Sequence, residues 1–198
     1  MSYGNFIHSV NATSLEHVTG GVIAVDKSGK TIQVESNVSG SRATQIARKY
    51  GVRFFPLGNK KFLIPGLIET HIHTAQYVFT GLGMDLQLLD WLNIFTFPRE
   101  SQFNNTNYAK NAYSWVVDRV IRGGTTGASY YAEILNNIVA ARGQIAFVGK
   151  AHMDRNSPNY LAETTDQSLK DTKTFIQYAL GKKNSRVTSI VTPRFVPS

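Results

Sequence analysis

The sequence predicts an α/β protein in which a small antiparallel sheet precedes parallel strands that alternate with helices. In residues 6–55, short strand-like runs are separated by turns, whereas strands and helices alternate after Lys61. Strict alternation implies parallel strands that are joined by right-handed crossovers. The chain supplies about four strand–helix units, and a closed barrel of this kind needs eight. The second sheet is therefore predicted to be either open or half of a barrel.

The N-terminal region, residues 1–61, is predicted to supply the strands of a small β-domain. The run GGVIAVDKSGKTIQVES alternates apolar and polar residues on either side of a turn at residues 26–29. This pattern is typical of an antiparallel hairpin with one buried face. A short helix is predicted at residues 42–50, where the apolar residues fall on one helical face.

Residues 62–198 are predicted to hold four strands and three helices. The strands lie in the segments FLIPGLIETHIH, TTGASYY, QIAFVGKAHM and RVTSIVTPRF. The helices are predicted at residues 106–122, 133–142 and 164–181. The first helix carries an apolar stripe that Gly123-Gly124 terminates, and the last begins with Thr164 and Gln167 in capping-box spacing. A long connection with one helical turn or more at residues 85–91 follows the first strand.

Composition excludes several classes of protein. The 198 residues are 42% hydrophobic and 17% charged, as in ordinary globular proteins, and the absence of cysteine excludes disulfides and thiolate zinc sites. The formal charge of +8 raises nucleic acid as a partner, but the basic residues are scattered pairs without an RNA-binding motif. No apolar run approaches the ~18 residues of a membrane span. We therefore expect a cytoplasmic protein that binds neither nucleic acid nor membrane.

The run ETHIHTAQY, residues 69–77, is the strongest chemical signal in the sequence. In an extended strand, residues two apart point to the same side, so His71 and His73 face one way. At the C-terminal end of a barrel strand, that side is where active sites assemble. The pair is therefore suited to chelate a metal, although two such histidines are also found as surface neighbours or as hydrogen-bonded core groups.

Two imidazoles do not complete a catalytic zinc site, which usually has three protein ligands and an open position for water. The other histidines are His8, His17 and His152. His8 and His17 lie in the predicted N-terminal sheet and are interpreted as structural. His152 follows the third strand on the correct face, so it is expected near the metal but not as a ligand.

The motif PGLIETHIH closely resembles the PGxxDxHxH opening of the metal-dependent amidohydrolase superfamily. Within that superfamily the resemblance is to the guanine deaminases. It covers residues 65–100 and continues through the later phrases GGTTGASYYA, FVGKAHMDRNSP and VTPRF, in the same order. One departure is Glu69, which stands where the superfamily commonly has aspartate.

The resemblance implies the first half of a (β/α)8 TIM-type barrel, preceded by a small N-terminal β-sheet segment. It further implies one Zn²⁺ per complete site, with His71 and His73 as metal ligands, and hydrolytic deamination of guanine to xanthine and ammonia. The family's remaining ligands and its proton-transferring glutamate and aspartate lie on later strands. No catalytic residue is therefore expected within these residues, and the chain is expected to be inactive alone. Full-length members are expected to be homodimers.

The same resemblance assigns the substrate-binding residues. It places guanine against His73, Thr74, Ala75, Gln76, Arg194 and Phe195. The guanidinium of Arg194 can donate to a purine carbonyl, and the alternative is a surface salt bridge. Trp91, Phe95 and Phe97 are interpreted as loop core rather than pocket. Two other functions remain open, a non-catalytic assembly partner and an amidohydrolase acting on another heterocycle.

Overall fold

A computed structural model describes residues 1–132 and 134–194. The chain divides into two compact units, Met1–Pro65 and Gly66–Ser198. Among the described residues, no helix combines the length and the apolar character that crossing a bilayer requires.

The first unit is built on a five-stranded sheet. Its strands are β1 (Ser2–Ser9), β2 (Leu15–Val25), β3 (Thr31–Glu35), β4 (Phe55–Pro56) and β5 (Phe62–Leu63). The order is β3-β2-β1-β4, with β5 also paired to β1. The antiparallel pairing of β1, β2 and β3 confirms the predicted sheet. The turn between β2 and β3 is held by Asp26, whose carboxylate accepts bonds from Ser28 and Lys30.

Helix α1 (Gly40–Tyr50) packs on this sheet and confirms the predicted helix. It begins after Ser39, whose side chain accepts a hydrogen bond from the backbone N–H of Arg42. It ends at Gly51, where a φ of 60° favours glycine. Its buried face joins Val22 and Val38 in the core of the first unit.

The second unit is built on four parallel strands flanked by helices. The strands are β6 (Leu67–His73), β7 (Thr125–Tyr131), β8 (Ile145–Gly149) and β9 (Val187–Ser189), in the order β6-β7-β8-β9. Each neighbouring pair is parallel, which confirms the prediction from alternation. The carboxyl ends of the four strands therefore lie along one edge of the sheet.

Helices connect these strands. They are α2 (Leu88–Trp91), α3 (Phe97–Glu100), α4 (Thr106–Arg122), α5 (Asn136–Arg142) and α6 (Thr165–Gly181). Helix α4 has the predicted bounds, and Asn105 caps it by accepting from two backbone N–H groups. Helix α6 is capped by Thr164, which accepts from the N–H of Gln167 as predicted. The helices and strands share a core in which Tyr130 and Leu135 are fully buried.

Two sequence predictions differ from the structure in detail. The first strand does not begin at Phe62, because Phe62–Leu63 pairs with β1 and the second unit begins at Gly66. The connection to α4 contains far more helix than predicted. It runs through short helical segments at Thr74–Phe79, α2, a π-helical turn at Leu92–Thr96, α3 and Ser101–Asn104. Pro98, which has no N–H to donate, lies just beyond the π-helical turn.

Helix α6 leaves two of its leucines exposed. Leu169 and Leu180 are 61% and 67% exposed. The buried face consists instead of Ser168, Thr172, Phe175 and Ala179. These positions recur at helical spacing, and most of them carry small or hydroxyl-bearing side chains, whose hydrophobic signal is weaker than that of leucine.

Candidate functional site

His71 and His73 meet at the carboxyl end of β6. Their Nε2 atoms lie 3.1 Å apart, and their ring centroids lie 4.9 Å apart. Glu69 supports the strand end from the same element, because its carboxylate accepts a hydrogen bond from the backbone N–H of His71 at 3.0 Å. The alternating directions of strand side chains thus bring both imidazoles to one side, as predicted.

Tyr131 completes a cluster of three rings. It is the last residue of β7 and pairs with His73 in the parallel ladder. Its ring centroid lies 4.7 Å from that of His71 and 4.6 Å from that of His73. Sequence reasoning missed Tyr131. The available signal was its place at the end of the second strand, beside the end of the first.

The surroundings of His73 favour its neutral form. Burial, the positive charge of Arg194 and the neighbouring His71 together lower the pKa of His73 to about 4, and burial is the largest of these causes. A neutral imidazole keeps a lone pair on one ring nitrogen, which is the form that binds metal ions.

The imidazole pair has the spacing that a shared metal ion requires. Two nitrogens bound to one tetrahedral zinc at ~2.0–2.1 Å lie roughly 3.3 Å apart. The observed separation of 3.1 Å is close to this value. In the part of the chain that the structure describes, no third histidine, cysteine, aspartate or glutamate completes a group of three metal-binding side chains. The pair therefore fits two positions of a zinc site.

A cavity of about 410 Å³ opens beside His73. This volume is in the range of roughly 300–1,000 Å³ that small-molecule sites occupy. The wall is largely aromatic and aliphatic, with a few polar groups. The lining includes His73, Ala75, Glu100, Phe103, Asn104, Tyr113, Tyr131, Met153, Leu161 and Arg194. Such a wall suits a flat, polar heterocycle, whose faces contact the rings and whose edges meet the polar groups.

Arg194 enters the cavity wall as half of a buried ion pair. Its Nη1 and Nη2 donate to the two carboxylate oxygens of Glu100 at 2.8 and 2.9 Å. The two side chains are 7% and 10% exposed. Arg194 therefore forms a buried ion pair and not the surface salt bridge that was considered as the alternative. Sequence reasoning missed Glu100, because 94 residues separate the partners and nothing local links them.

The remaining predicted substrate residues lie in different places. Ala75 lines the cavity beside His73. Gln76 lies on a second cavity of about 400 Å³, which His71 and His73 also line. Thr74 is fully buried, and its hydroxyl has no hydrogen-bond partner among the described residues. Phe195 lies outside the residues that the structure describes.

The aromatic residues of the connection after β6 are arranged as loop core. Phe97 is buried. Trp91 packs against Phe79 with ring centroids 5.6 Å apart, and its indole N–H donates to the carbonyl of Leu82.

Glu163 is the centre of a second polar network at the end of β8. Its carboxylate accepts from Nζ of Lys150 at 2.6 and 2.7 Å, from the N–H of Met153 and from the hydroxyl of Ser168. Burial raises the pKa of Glu163, but these donors outweigh burial and leave it below its ordinary value of 4.5. The network fixes the segment after β8, from which Met153 and Leu161 reach the cavity.

His152 belongs to this network rather than to the imidazole pair. Its Nδ1 lies 2.8 Å from the hydroxyl of Ser168. Because that hydroxyl donates to Glu163, Nδ1 of His152 carries the proton and donates to Ser168. Burial and the nearby Lys150 lower the pKa of His152.

Comparison with known proteins gives a consistent family assignment. The amidohydrolase family profile matches residues 62–198. The chain is 43% identical over 211 residues to guanine deaminase of Dictyostelium discoideum, covering 98% of this chain and 47% of that protein. It is 40% identical over 204 residues to the Homo sapiens guanine deaminase, covering 97% of this chain and 44% of that protein. The chain thus spans about half the length of the relatives that it matches.

A solved structure shows the same fold. Guanine deaminase from C. acetobutylicum, which has guanine bound in its active site, superposes with a TM-score of 0.86 at 35% identity. The match covers the whole of this chain and 46% of that one. The parallel sheet, the paired histidines at its first strand end and the match over residues 62–198 agree, and the chain belongs to the amidohydrolase family.

Proposed function

We propose that the chain forms part of a zinc-dependent guanine deaminase, which hydrolyses guanine to xanthine and ammonia. The observation that carries the proposal is the pairing of two histidine nitrogens 3.1 Å apart beside a cavity that Arg194 also lines. The similarity to guanine deaminases along nearly the whole chain supports the choice of substrate. In the reaction, water replaces the amino group on C2, the C–N bond breaks and the nitrogen leaves as ammonia.

Each residue of the site has a proposed part. His71 and His73 would hold zinc through Nε2, and a zinc ion there would lower the pKa of bound water so that a nucleophile is available near neutral pH. The guanidinium of Arg194 donates to the carbonyl edge of the purine. Gln76 offers both a donor and an acceptor to the purine. Thr74, Ala75 and Phe195 complete the proposed substrate-binding set, and the proton-transferring glutamate and aspartate are supplied by later strands.

The proposal extends to the architecture. Residues 62–198 contribute the first four strand–helix units of a (β/α)8 barrel, and residues 1–61 contribute strands to a small β-domain. The complete enzyme is proposed to be a cytoplasmic homodimer with one zinc ion in each site.

One observation favours a second function, assembly with a complementary partner. Apolar side chains along the parallel sheet are open to solvent, among them Ile68 at 76%, Ile145 at 53% and Phe147 at 46%. Exposed apolar surface on a sheet, together with unpaired strand edges, promotes association. Under this alternative the chain binds another strand-bearing segment and has no turnover of its own.

The experiment compares the 198-residue chain with a fusion that joins it to the second half of the Dictyostelium relative. Both proteins are loaded with zinc, and xanthine and ammonia are measured after addition of guanine. We expect turnover by the fusion and little or none by the chain alone. The fusion carrying His73→Ala should be inactive, whereas His17→Ala, which changes an exposed histidine of the first unit, should match the unmodified fusion.

Three results would contradict the proposal. A fusion that binds zinc and folds but leaves guanine unchanged would refute guanine deamination. Turnover of another aminated heterocycle by that fusion would favour a different amidohydrolase. Equal turnover by the chain and the fusion would refute the claim that the site needs later strands.

A further inference from the structure

Among the residues that the structure describes, Glu100 and Met153 hold the guanidinium of Arg194 at three of its five N–H groups. Nη1 and Nη2 each donate one hydrogen to the carboxylate of Glu100. Nη1 also donates toward Sδ of Met153 at 3.3 Å. Arginine has five N–H donors in a rigid plane, so three contacts fix both the position and the rotation of that plane.

The two remaining donors form a matched pair. Glu100 occupies the end of the guanidinium, where one hydrogen of each Nη points, and Met153 lies at the second hydrogen of Nη1. The N–H of Nε and the second N–H of Nη2 remain, and they point in parallel from one edge of the plane. Two parallel donors on one edge are the fork with which arginine recognises paired acceptors.

We propose that Glu100 is a positioning residue that selects this edge of Arg194 and presents it to the O6 and N7 acceptors of guanine. The inference rests on the proposed function. O6 and N7 of guanine are the acceptor pair that arginine binds through two hydrogen bonds. Carbon C2, which carries the amino group, lies across the ring from that edge. A purine held by the fork therefore presents C2 away from Arg194 and toward the rest of the cavity.

The surroundings make this orientation effective. Glu100 and Arg194 line the same cavity as His73, and the positive charge of Arg194 contributes to lowering the pKa of His73. Both partners are at least nine-tenths buried, so water does not compete strongly for the guanidinium. Glu100 comes from α3 and Arg194 from the segment after β9, so the pair also joins the connection after β6 to the end of the sheet.

A structural alternative makes a different prediction. If Glu100 only neutralises a buried charge, its replacement weakens the binding of all ligands of the cavity alike. If Glu100 orients the Nε–Nη2 edge of Arg194, its replacement weakens the binding of purines with a carbonyl at C6 far more than that of purines without one. Guanine and 2-aminopurine form the test pair, because 2-aminopurine keeps N7 and the C2 amino group but lacks O6.

The experiment measures the binding of both purines to the zinc-loaded fusion of the chain with the second half of the Dictyostelium relative, by stopped-flow mixing that resolves the binding step before guanine is deaminated. In the unmodified protein, guanine should bind more tightly than 2-aminopurine. Glu100→Gln should weaken the binding of guanine by about tenfold, because a charge-assisted hydrogen bond is lost and the guanidinium can turn. The same change should weaken the binding of 2-aminopurine by less than about threefold. Glu100→Asp, which keeps the carboxylate, should recover most of the preference for guanine.

A double-mutant cycle covers the case in which Glu100→Gln does not fold. Replacing both partners with methionine removes the two buried charges together, which folded proteins tolerate far better than the loss of one partner. In an Arg194→Met background, Glu100→Met should leave the guanine to 2-aminopurine ratio unchanged, whereas Arg194→Met alone should abolish the preference. Circular dichroism measures the folded fraction of every variant before its binding is compared.

Several outcomes would overturn the inference. These are equal weakening of both purines by Glu100→Gln, an effect of Glu100→Met that persists without Arg194, and an unmodified protein with no preference for guanine. The release of ammonia from guanine is scored separately. A protein that deaminates guanine but shows one of these outcomes keeps its proposed function and loses the role assigned to Glu100.

Discussion

The two halves of the parallel sheet end in different chemistry. Strands β6 and β7 end in the ring cluster of His71, His73 and Tyr131, whose centroids lie within 4.9 Å of one another. This cluster holds ring nitrogens at the spacing of a shared metal ion through packing. Its three side chains meet through ring contacts and through a hydrogen bond between the two Nε2 atoms, and none of these contacts joins opposite charges.

Strands β8 and β9 lead instead into buried ion pairs. Lys150 is bound by Glu163, and Arg194 is bound by Glu100. A buried charge is tolerated only when partners satisfy it, so each of these groups is locked by several hydrogen bonds. One half of the sheet edge therefore presents imidazole nitrogens that can bind a cation. The other half presents the N–H donors of charged side chains whose positions are fixed by their ion pairs.

The largest effect is expected from breaking the ion pair at the end of β8. Lys150→Met leaves the carboxylate of Glu163 buried without its cation and should lower the free energy of unfolding by about 3–5 kcal/mol. Urea unfolding measures the loss, and Lys173→Met on the exposed side of α6 serves as the control. A loss equal to that of the control would show that the pair does not hold this strand end.

A change at the ring cluster should affect metal binding instead of stability. His71→Ala removes an exposed side chain and one of two proposed zinc ligands, so zinc affinity should fall by more than about 100-fold. Competition with a chromogenic chelator measures the affinity, with His17→Ala as the matched histidine control. Unchanged zinc affinity in His71→Ala would remove this histidine from the site.

Tyr131 tests whether ring packing positions the imidazoles. Tyr131→Ala should lower the affinity for zinc by about tenfold, because aromatic pairs contribute about 0.5–1.5 kcal/mol each and this ring contacts two imidazoles. Tyr131→Phe keeps the ring and should bind zinc as the unmodified chain does. If the two variants weaken zinc equally, the hydroxyl matters and the packing explanation is wrong.

The smallest expected effect is a change in acid stability at the ion-pair end. The pKa of Glu163 in the folded chain is below its ordinary value of 4.5. Its stabilising contribution is therefore complete above about pH 4.5 and is lost as the pH falls through the lower, folded pKa. Unfolding measured between neutral pH and pH 3 should show a steeper decline than in Glu163→Gln, which lacks the titrating group. Parallel declines would contradict this assignment.

The sequence was sufficient where the determining contacts are local. Helix α4 follows from a polar cap, an apolar stripe and a terminal glycine pair, and its observed bounds match the prediction. The direction of His71 and His73 follows from strand geometry. The parallel order of strands follows from their alternation with helices, because crossovers favour one hand.

Long-range contacts explain what the sequence did not reveal. Glu100 and Arg194 are 94 residues apart, and each alone is an ordinary charged residue. Tyr131 gains meaning only when β7 is placed beside β6. Leu169 is exposed although it is apolar, because α6 buries a stripe of mostly smaller side chains beside it. In each case, the neighbour that decides the role comes from another element.

The central claim is that His71 and His73 share one zinc ion at the end of β6. The most direct measurement is anomalous X-ray scattering at the zinc edge from crystals of the chain grown with zinc. If both histidines bind one zinc ion, a peak should lie about 2.0–2.2 Å from Nε2 of each, beside the ring of Tyr131. A peak at His152, or zinc bound to only one of the two histidines, would contradict it.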